Sequence, residues 1–170
     1  VDLEKGIVNV RRNLTILDMF GPPKTNAGIR TVTLLQPALE ALKEQYKLTG
    51  HHRKSEITFY HREYGRTEKQ KLHFVFMPRV CNGKQKPYYS VSSLGARWNA
   101  AVKRAGIRRR NPYHTRHTFA CWLLSAGANP SFIASQMGHE NAQMVYDVYS
   151  TWIEEMNGDQ VSMLNSRLGL

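Results

Sequence analysis

The sequence predicts an α+β fold, mainly helical, with a small antiparallel sheet near the N-terminus. Strand-like segments rich in β-branched residues are concentrated in the first half of the chain. From Ser90 onward, apolar residues recur at helical spacing in successive runs, three of which end at a glycine. With 170 residues and 41% hydrophobic content, the chain is long enough to bury one core, so we expect a single globular domain.

Segments with β-branched residues and alternating polarity predict three strands near the N-terminus. These are Ile7 to Val10, Leu14 to Phe20 and Arg30 to Leu34. The connection between the second and third strands, Pro22 to Gly28, has the composition of a turn and would display Lys24. Two later runs, Glu56 to His61 and Leu72 to Met77, joined through Gly65, predict a hairpin at the domain edge.

Six helices are predicted. The first begins at Gln36, with Pro37 in its first turn, and ends at Thr49–Gly50. The others are Val91 to Ala105, Pro112 to Ala126, Pro130 to Met137, Asn141 to about Trp152, and a short tail from Val161 to Leu168. Glycines 106, 127 and 138 follow three of them and are expected to take the left-handed conformation that ends helices.

The charge of the chain indicates nucleic acid as its partner. Lys and Arg number 24 against 13 Asp and Glu, a formal charge of +11 that concentrates polyanions at the surface. A membrane partner is not expected, because no window has roughly 18 continuous apolar residues or a basic amphipathic pattern. Cys81 and Cys121 lack Cys-x-x-Cys spacing, so we interpret both as reduced thiols of an intracellular protein, with Cys121 in the core.

Arg116 and His139 are candidate phosphate-binding residues. We expect Phe119, Leu123 and Leu124 to form the buried stripe of their helix and Arg116 to stay accessible near its start. A guanidinium grips two phosphate oxygens and offsets the charge that grows at five-coordinate phosphorus, although an isolated Arg is often only a surface residue. His139 follows Gly138 between two helices, where it would donate to an oxygen, shuttle a proton or simply cap the helix.

A tyrosine is the candidate nucleophile. With an ordinary pKa of roughly 10, a phenol needs a cationic site and a phosphate held in line for attack. Tyr146 and Tyr149 are three residues apart, and spacing alone does not choose between them. Lys24 would protonate a leaving alkoxide or be a solvated turn residue. His114 and His117 lack a carboxylate or Cys at ligand spacing, so no metal site is predicted.

Together these motifs resemble the catalytic domain of the tyrosine recombinases of the phage integrase type, from Val1 to about Trp152. The motifs are Lys24 followed by Arg30-Thr31-Val32-Thr33-Leu34, the box Tyr113-x-x-Arg116-His117, the box Met137-Gly138-His139, and Tyr149 ten residues later in an Asp-x-Tyr-Ser context. Each motif is weak alone, but the combination is specific. The context favours Tyr149 over Tyr146.

The resemblance implies site-specific DNA recombination in phage or prophage integration and excision. Tyr149 would attack a phosphate of double-stranded DNA, giving a 3′-phosphotyrosyl bond and a free 5′-hydroxyl. Arg116 and His139 would stabilise the transition state, and Lys24 would be the general acid. The covalent intermediate keeps the phosphodiester energy, so neither a metal nor another cofactor is expected. A homotetramer on DNA, in the bacterial cytoplasm at the nucleoid, is the implied setting.

Two departures from the family pattern qualify these expectations. Tyr113 stands where the family usually has His, so the proton relay would fall to its phenol or to His114, or the position would be merely structural. The family's further Arg, in a helix before the first strand, has no counterpart here. We therefore expect residues 1–170 to be a catalytic domain without its N-terminal helices and upstream DNA-binding domains, weak or inactive alone.

Further expectations concern the surface. The DNA backbone would be contacted by Arg104, Arg108, Arg109, Arg110 and His117, although a solvated basic loop is the plainer interpretation of the arginines. The tail helix would contact a neighbouring protomer. Two other functions remain open: DNA relaxation of the type IB topoisomerase kind, which shares the Tyr, Arg, Lys and His chemistry, and a non-catalytic DNA-binding regulator, which needs the charge but not the tyrosine.

Overall fold

The computed structural model describes residues 1–78, 86–155 and 157–169. They form two compact units, Val1–Pro112 and Tyr113–Leu170. Strands occur in the first unit and helices in both, which confirms the α+β prediction. Among the described residues, no helix has the length and apolar character that crossing a membrane requires.

The described residues of the first unit form two small sheets. The six strands are β1 (Ile7–Val10), β2 (Asn13–Leu14), β3 (Phe20–Gly21), β4 (Arg30–Thr33), β5 (Ser55–Tyr60) and β6 (Thr67–Leu72). β1 pairs antiparallel with β4, and the other four strands form a sheet in the order β2-β3-β5-β6. In this sheet β3 and β5 run parallel, with Phe20 opposite Phe59, and the other pairs are antiparallel.

Two predicted strands were wrong in extent. The segment Leu14 to Phe20 is not one strand, because a turn in which Asp18 takes a φ of 59° separates β2 from β3. The second hairpin strand is Thr67–Leu72 instead of Leu72 to Met77. Its polar residues form an exposed edge strand through pairing with β5. Phe74, which was assigned to the strand, packs its ring against Phe20 and Tyr88.

Two helices complete the first unit and match their predictions closely. α1 spans Gln36–Thr49, with proline in its first turn, and α2 spans Val91–Arg104. The side chain of Ser90 caps α2 by accepting a hydrogen bond from Ser93 N at 3.2 Å. The core beside the four-stranded sheet consists of Phe20, Ile57 and Phe59, with Leu14, Leu72, Phe74 and Tyr88 packed around them.

In the second unit, the residues that the structure describes form four helices. They are α3 (His114–Ser125), α4 (Pro130–Met137), α5 (Gln143–Glu155) and α6 (Asn157–Leu168). α4 has the predicted bounds, whereas α3 and α5 begin two residues later and α6 four residues earlier than predicted. Gly106, Gly127 and Gly138 have φ values of 65°, 75° and 71°, which confirms their roles at helix ends.

One core joins α3, α4 and α5. Its buried members are Ala120, Leu124, Ile133, Ala134, Met137, Val145 and Tyr149. α5 is not continuous, because Tyr149 leaves helical geometry with φ −121° and ψ 15°. The nucleophile candidate therefore lies both in the core and at a break in its helix.

Candidate active site

α3 carries the Arg box at its first turn. Arg116 and His117 are half-buried there, because the helix turns its inner face to the core through Ala120 and Leu124. The predicted stripe faces the core: Leu124 is buried, and Phe119 and Leu123 are partly buried and pack against the core cluster. The small Ala120 takes the innermost place, fully buried.

Tyr149 reaches the same end of α3 from α5. Its side chain is only 6% exposed, and its hydroxyl lies 2.9 Å from Nδ1 of His117. The two rings meet in a T-shaped arrangement with centroids 5.9 Å apart. Either atom is able to donate, since the donor depends on the histidine tautomer. Nδ1 of His117 is thus engaged by the tyrosine, a contact that sequence reasoning missed when it assigned His117 to DNA alone.

Burial raises the pKa of the Tyr149 hydroxyl above its ordinary value of 10.0. Cys121 and Tyr113 also raise this pKa, whereas the positive charge of Arg116 lowers it. The phenol is therefore neutral at pH 7, and an attack on phosphate requires its proton to be removed. Burial likewise raises the pKa of the Cys121 thiol, which is free and half-buried against the core. Cys81 lies outside the described residues.

Tyr113 and His114 lie beside this pair at the start of α3. The Tyr113 ring is 5.8 Å from the ring of His117, and the Arg116 guanidinium lies 5.9 Å from the Tyr113 ring centroid. The rings of His114 and His117 are 6.2 Å apart. Within the part of the chain that the structure describes, no three His, Cys, Asp or Glu residues are grouped as metal ligands.

His139 has a fixed backbone at the end of α4. Gly138 takes the left-handed conformation, and His139 N then donates to Ala134 O at 2.9 Å. The structure thus places His139, half-buried, in a turn between α4 and α5, as its position after Gly138 predicts.

Lys24 belongs to the first unit and is exposed in the loop between β3 and β4, a turn as predicted. Within that loop, Asn26–Gly28 form a short 3₁₀ helix capped by Thr25, whose Oγ1 accepts from Gly28 N at 3.3 Å. Arg62, from the turn after β5, donates from Nη2 to Pro23 O at 2.8 Å and Lys24 O at 3.2 Å. No sequence pattern pointed to Arg62, because it lies 39 residues from Pro23.

The four arginines predicted to contact the DNA backbone also lie in the first unit. Arg104 ends α2, and Arg108, Arg109 and Arg110 follow it in an exposed segment. The segment is tied to α2, since Trp98 Nε1 donates to Arg110 O at 2.7 Å and Arg109 Nε donates to Asn99 Oδ1 at 3.4 Å. Three guanidinium groups are thereby presented together along an exposed stretch of backbone.

The second unit can supply nucleophilic chemistry on an anionic substrate. A buried phenol, a histidine in hydrogen-bond contact with it and a nearby guanidinium are the groups that an attack on phosphorus requires. Comparison with known proteins agrees with this chemistry. The model of the phage integrase family matches residues 1–154.

Individual relatives and solved structures give the same picture. Prophage integrase IntR of Escherichia coli K12 is 92% identical over 168 residues, which cover 99% of this chain and 41% of that protein. A XerC-like tyrosine recombinase of Caldanaerobacter subterraneus is 27% identical over 97% of this chain and 42% of its own length. An integrase of transposon Tn1549, solved with transposon right end DNA, has the same fold, with a TM-score of 0.65 and 21% identity over 100% of this chain and 51% of that chain. The chain thus spans about two fifths of the curated relatives.

Proposed function

Because this chain belongs to the phage integrase family, we propose that it performs the strand cleavage and rejoining of site-specific DNA recombination, in phage or prophage integration and excision. Tyr149 is the nucleophile. The observation that carries this assignment is the hydrogen bond of 2.9 Å between its hydroxyl and His117, beside the charge of Arg116. Tyr146 has no comparable position, since it is 43% exposed on α5.

The reaction exchanges one ester for another. The phenolic oxygen of Tyr149 forms a bond to phosphorus, its proton passes to a neighbouring base, and the bond from phosphorus to the 5′ oxygen breaks. His117 is placed to take that proton when its Nδ1 is the acceptor. Lys24 gives a proton to the departing 5′ oxygen. The 3′-phosphotyrosyl bond keeps the energy of the phosphodiester, so the reverse attack by a 5′-hydroxyl rejoins the strand without a metal or other cofactor.

Cationic side chains stabilise the five-coordinate phosphorus. Arg116 grips its nonbridging oxygens, and His139 donates to one of them from its fixed turn. Tyr113, which packs against His117 and beneath Arg116, takes the place of the family's first histidine. Its contacts favour a role in orienting those two side chains, with His114 the alternative for proton relay.

Double-stranded DNA is the substrate. The formal charge of +11 supports this, and so does the DNA complex of the Tn1549 integrase. The Arg104 to Arg110 segment contacts the DNA backbone, because its arginines are exposed and the hydrogen bonds of the Arg110 carbonyl and the Arg109 guanidinium hold it against α2. Affinity should therefore fall steeply as salt rises.

The assembled enzyme is a homotetramer on DNA that works in the bacterial cytoplasm at the nucleoid. Exposed apolar residues of α6, among them Val161, Leu164 and Leu168, support a contact between protomers. Removal of Val161 to Leu168 should weaken self-association on DNA in sedimentation. An unchanged profile would remove α6 from the protomer interface.

Covalent trapping tests the proposed reaction. Since the chain matches about two fifths of Prophage integrase IntR, it is tested alone and in place of the matching segment of that relative. Each protein is incubated with labelled supercoiled DNA that carries the ends of the relative's prophage, and then quenched in detergent. We expect a protein-linked label that Tyr149→Phe abolishes and the matched control Tyr146→Phe retains. The chimera with intact DNA binding but no adduct would point to a non-catalytic regulator.

A further inference from the structure

We propose that Arg62 is a positioning residue for Lys24: it fixes the loop from which the lysine delivers its proton. The inference rests on the proposed role of Lys24 as general acid. Arg62 follows β5 by two residues and belongs to the β5–β6 hairpin, whereas the lysine loop connects β3 to β4. Its role is visible only in the folded first unit, because 38 residues separate it from Lys24.

The contact is made to the two backbone carbonyls that flank the Cα of Lys24. Nη2 of Arg62 donates to Pro23 O at 2.8 Å and to Lys24 O at 3.2 Å. Hydrogen bonds from a charged donor are roughly twice as strong as neutral ones. Both target the main chain, so they restrain the position of the Lys24 Cα and leave its amine free to reach a substrate.

The same loop is restrained from within. Pro23 is buried, and Gly28 lies so close to it that a Cβ at position 28 would be 2.6 Å from Pro23 Cβ. Gly28 N donates to Thr25 O at 3.1 Å, and Ile29 N donates to Asn26 O at 2.9 Å. Lys24 is thus an exposed side chain on a backbone held by the 3₁₀ turn on one side and by Arg62 on the other.

Arg62 is itself well anchored. β5 pairs in parallel with β3, the strand that leads into the lysine loop, and a Cβ at Gly21 would already be 3.2 Å from Tyr60 O. His61 N donates to Arg66 O at 3.0 Å, which closes the hairpin just beyond Arg62. The β5–β6 hairpin, whose Ile57 and Phe59 lie in the core of the first unit, therefore also supports the Lys24 loop.

The expected effect is on the proton-transfer step. A misplacement of about 1 Å in a reacting group can cost roughly 100-fold in rate. We expect Arg62→Met to slow strand cleavage by about 10- to 100-fold without weakening DNA binding. The matched control is Arg66→Met in the same hairpin, because Arg66 pairs with Glu63 in the hairpin turn.

The test replaces the leaving 5′ oxygen of the scissile phosphate by sulfur. A thiol has a pKa of about 8.5, so it departs without a general acid. In the chimera described above, with the cleavage position mapped beforehand, Lys24→Ala and Arg62→Met should both be slow on the oxygen substrate. Both should return to nearly the wild-type rate on the sulfur substrate. Arg66→Met should match the wild type on both.

Each other outcome is decisive. If Lys24→Ala is rescued by sulfur but Arg62→Met stays slow, Arg62 does not act through Lys24 and the inference is wrong. If Lys24→Ala is not rescued, the general-acid role fails and the positioning role falls with it, which separates the two failures. Hydrogen exchange on this chain gives a readout independent of activity: Arg62→Met, and not Arg66→Met, should accelerate exchange of the Gly28 and Ile29 amides. Unchanged exchange would overturn the restraint itself.

Discussion

A double-mutant cycle on Tyr149 and His117 measures the hydrogen bond that joins the proposed nucleophile to α3. The variants are Tyr149→Phe, His117→Ala and the two together. Phenylalanine keeps the ring that packs in the core and removes only the hydroxyl. The coupling between the two substitutions therefore reports the interaction of the hydroxyl with the imidazole, free of the ring contact that phenylalanine preserves.

The structure sets the size of the effect. A hydrogen bond of 2.9 Å between partly buried groups contributes about 1 kcal/mol to the free energy of unfolding. Tyr149→Phe should lower the free energy of unfolding by only about 1 kcal/mol, because the half-buried His117 can bind water in place of the lost hydroxyl. His117→Ala should cost about 2 kcal/mol, because it also removes a T-shaped ring contact and leaves a buried hydroxyl without this partner. The coupling free energy should be about 1 kcal/mol.

Urea unfolding of the chain provides the assay. Trp122 and Trp152 belong to the second unit, where Trp152 Nε1 donates to Ser125 Oγ at 3.2 Å. A Trp98→Phe background removes the tryptophan of α2, so that fluorescence reports the unit that contains the site. Tyr146→Phe combined with His117→Ala is the matched control. Its coupling should be within about 0.3 kcal/mol of zero.

A coupling free energy within about 0.3 kcal/mol of zero for Tyr149 and His117 would refute the reasoning. It would mean that the hydroxyl finds an equally good partner without the imidazole, and that His117 does not hold the nucleophile. A coupling well above about 3 kcal/mol would contradict the picture in the other direction, because it would require a charged partner.

Two further predictions follow from burial and from close packing. Folding raises the pKa of Tyr149, so the contribution of this group to stability is present below the unfolded pKa of about 10 and is lost as the pH rises above it. Urea unfolding between pH 8 and 11 should therefore show the wild type losing stability relative to Tyr149→Phe. If the free energies of unfolding of the two proteins change with pH in parallel, the pKa shift is contradicted. Gly28→Ala should lower the free energy of unfolding by about 1–3 kcal/mol, because the new Cβ would lie 2.6 Å from Pro23 Cβ. Gly95→Ala in α2 should raise it by about 0.5–1 kcal/mol, because a Cβ there meets nothing within 4 Å and alanine favours the helix. Thermal unfolding compares the two, and equal shifts would show that Pro23 moves aside freely.

Local signals explain which parts of the fold were predictable. The bounds of α4 follow from Pro130 at its start and Gly138 at its end, both of which act on their own turn of backbone. The prediction of β6 was wrong because its residues are polar and form a strand only through pairing with β5. The predicted extent of β2 and β3 was wrong because the turn at Asp18 interrupts a segment whose composition is typical of one continuous strand.

In the candidate site, too, local motifs were predictable from the sequence and long-range contacts were not. The order of Arg116, His139 and Tyr149 along the chain was enough to predict the family, because each lies in a motif with its own local context. The contacts that hold these groups were not predictable. His117 meets Tyr149 across 32 residues and Arg62 meets Pro23 across 39, and neither pair shares a helix turn or a strand register that a sequence pattern would reveal.

The buried position of Tyr149 is compatible with the proposed role of this residue as nucleophile. Val145 and Tyr149 are four residues apart on one face of α5, so periodicity alone assigns both to the core, and accessibility alone would choose Tyr146. Yet the hydroxyl is held by a hydrogen bond worth only about 1 kcal/mol, so the energy needed to break that bond and move the oxygen to a phosphate corresponds to a factor of about five in rate. Charge-assisted contacts between a phosphate and Arg116 contribute about 1.5–3 kcal/mol each. The free energy of binding the substrate therefore exceeds that of the contact that keeps the nucleophile in place.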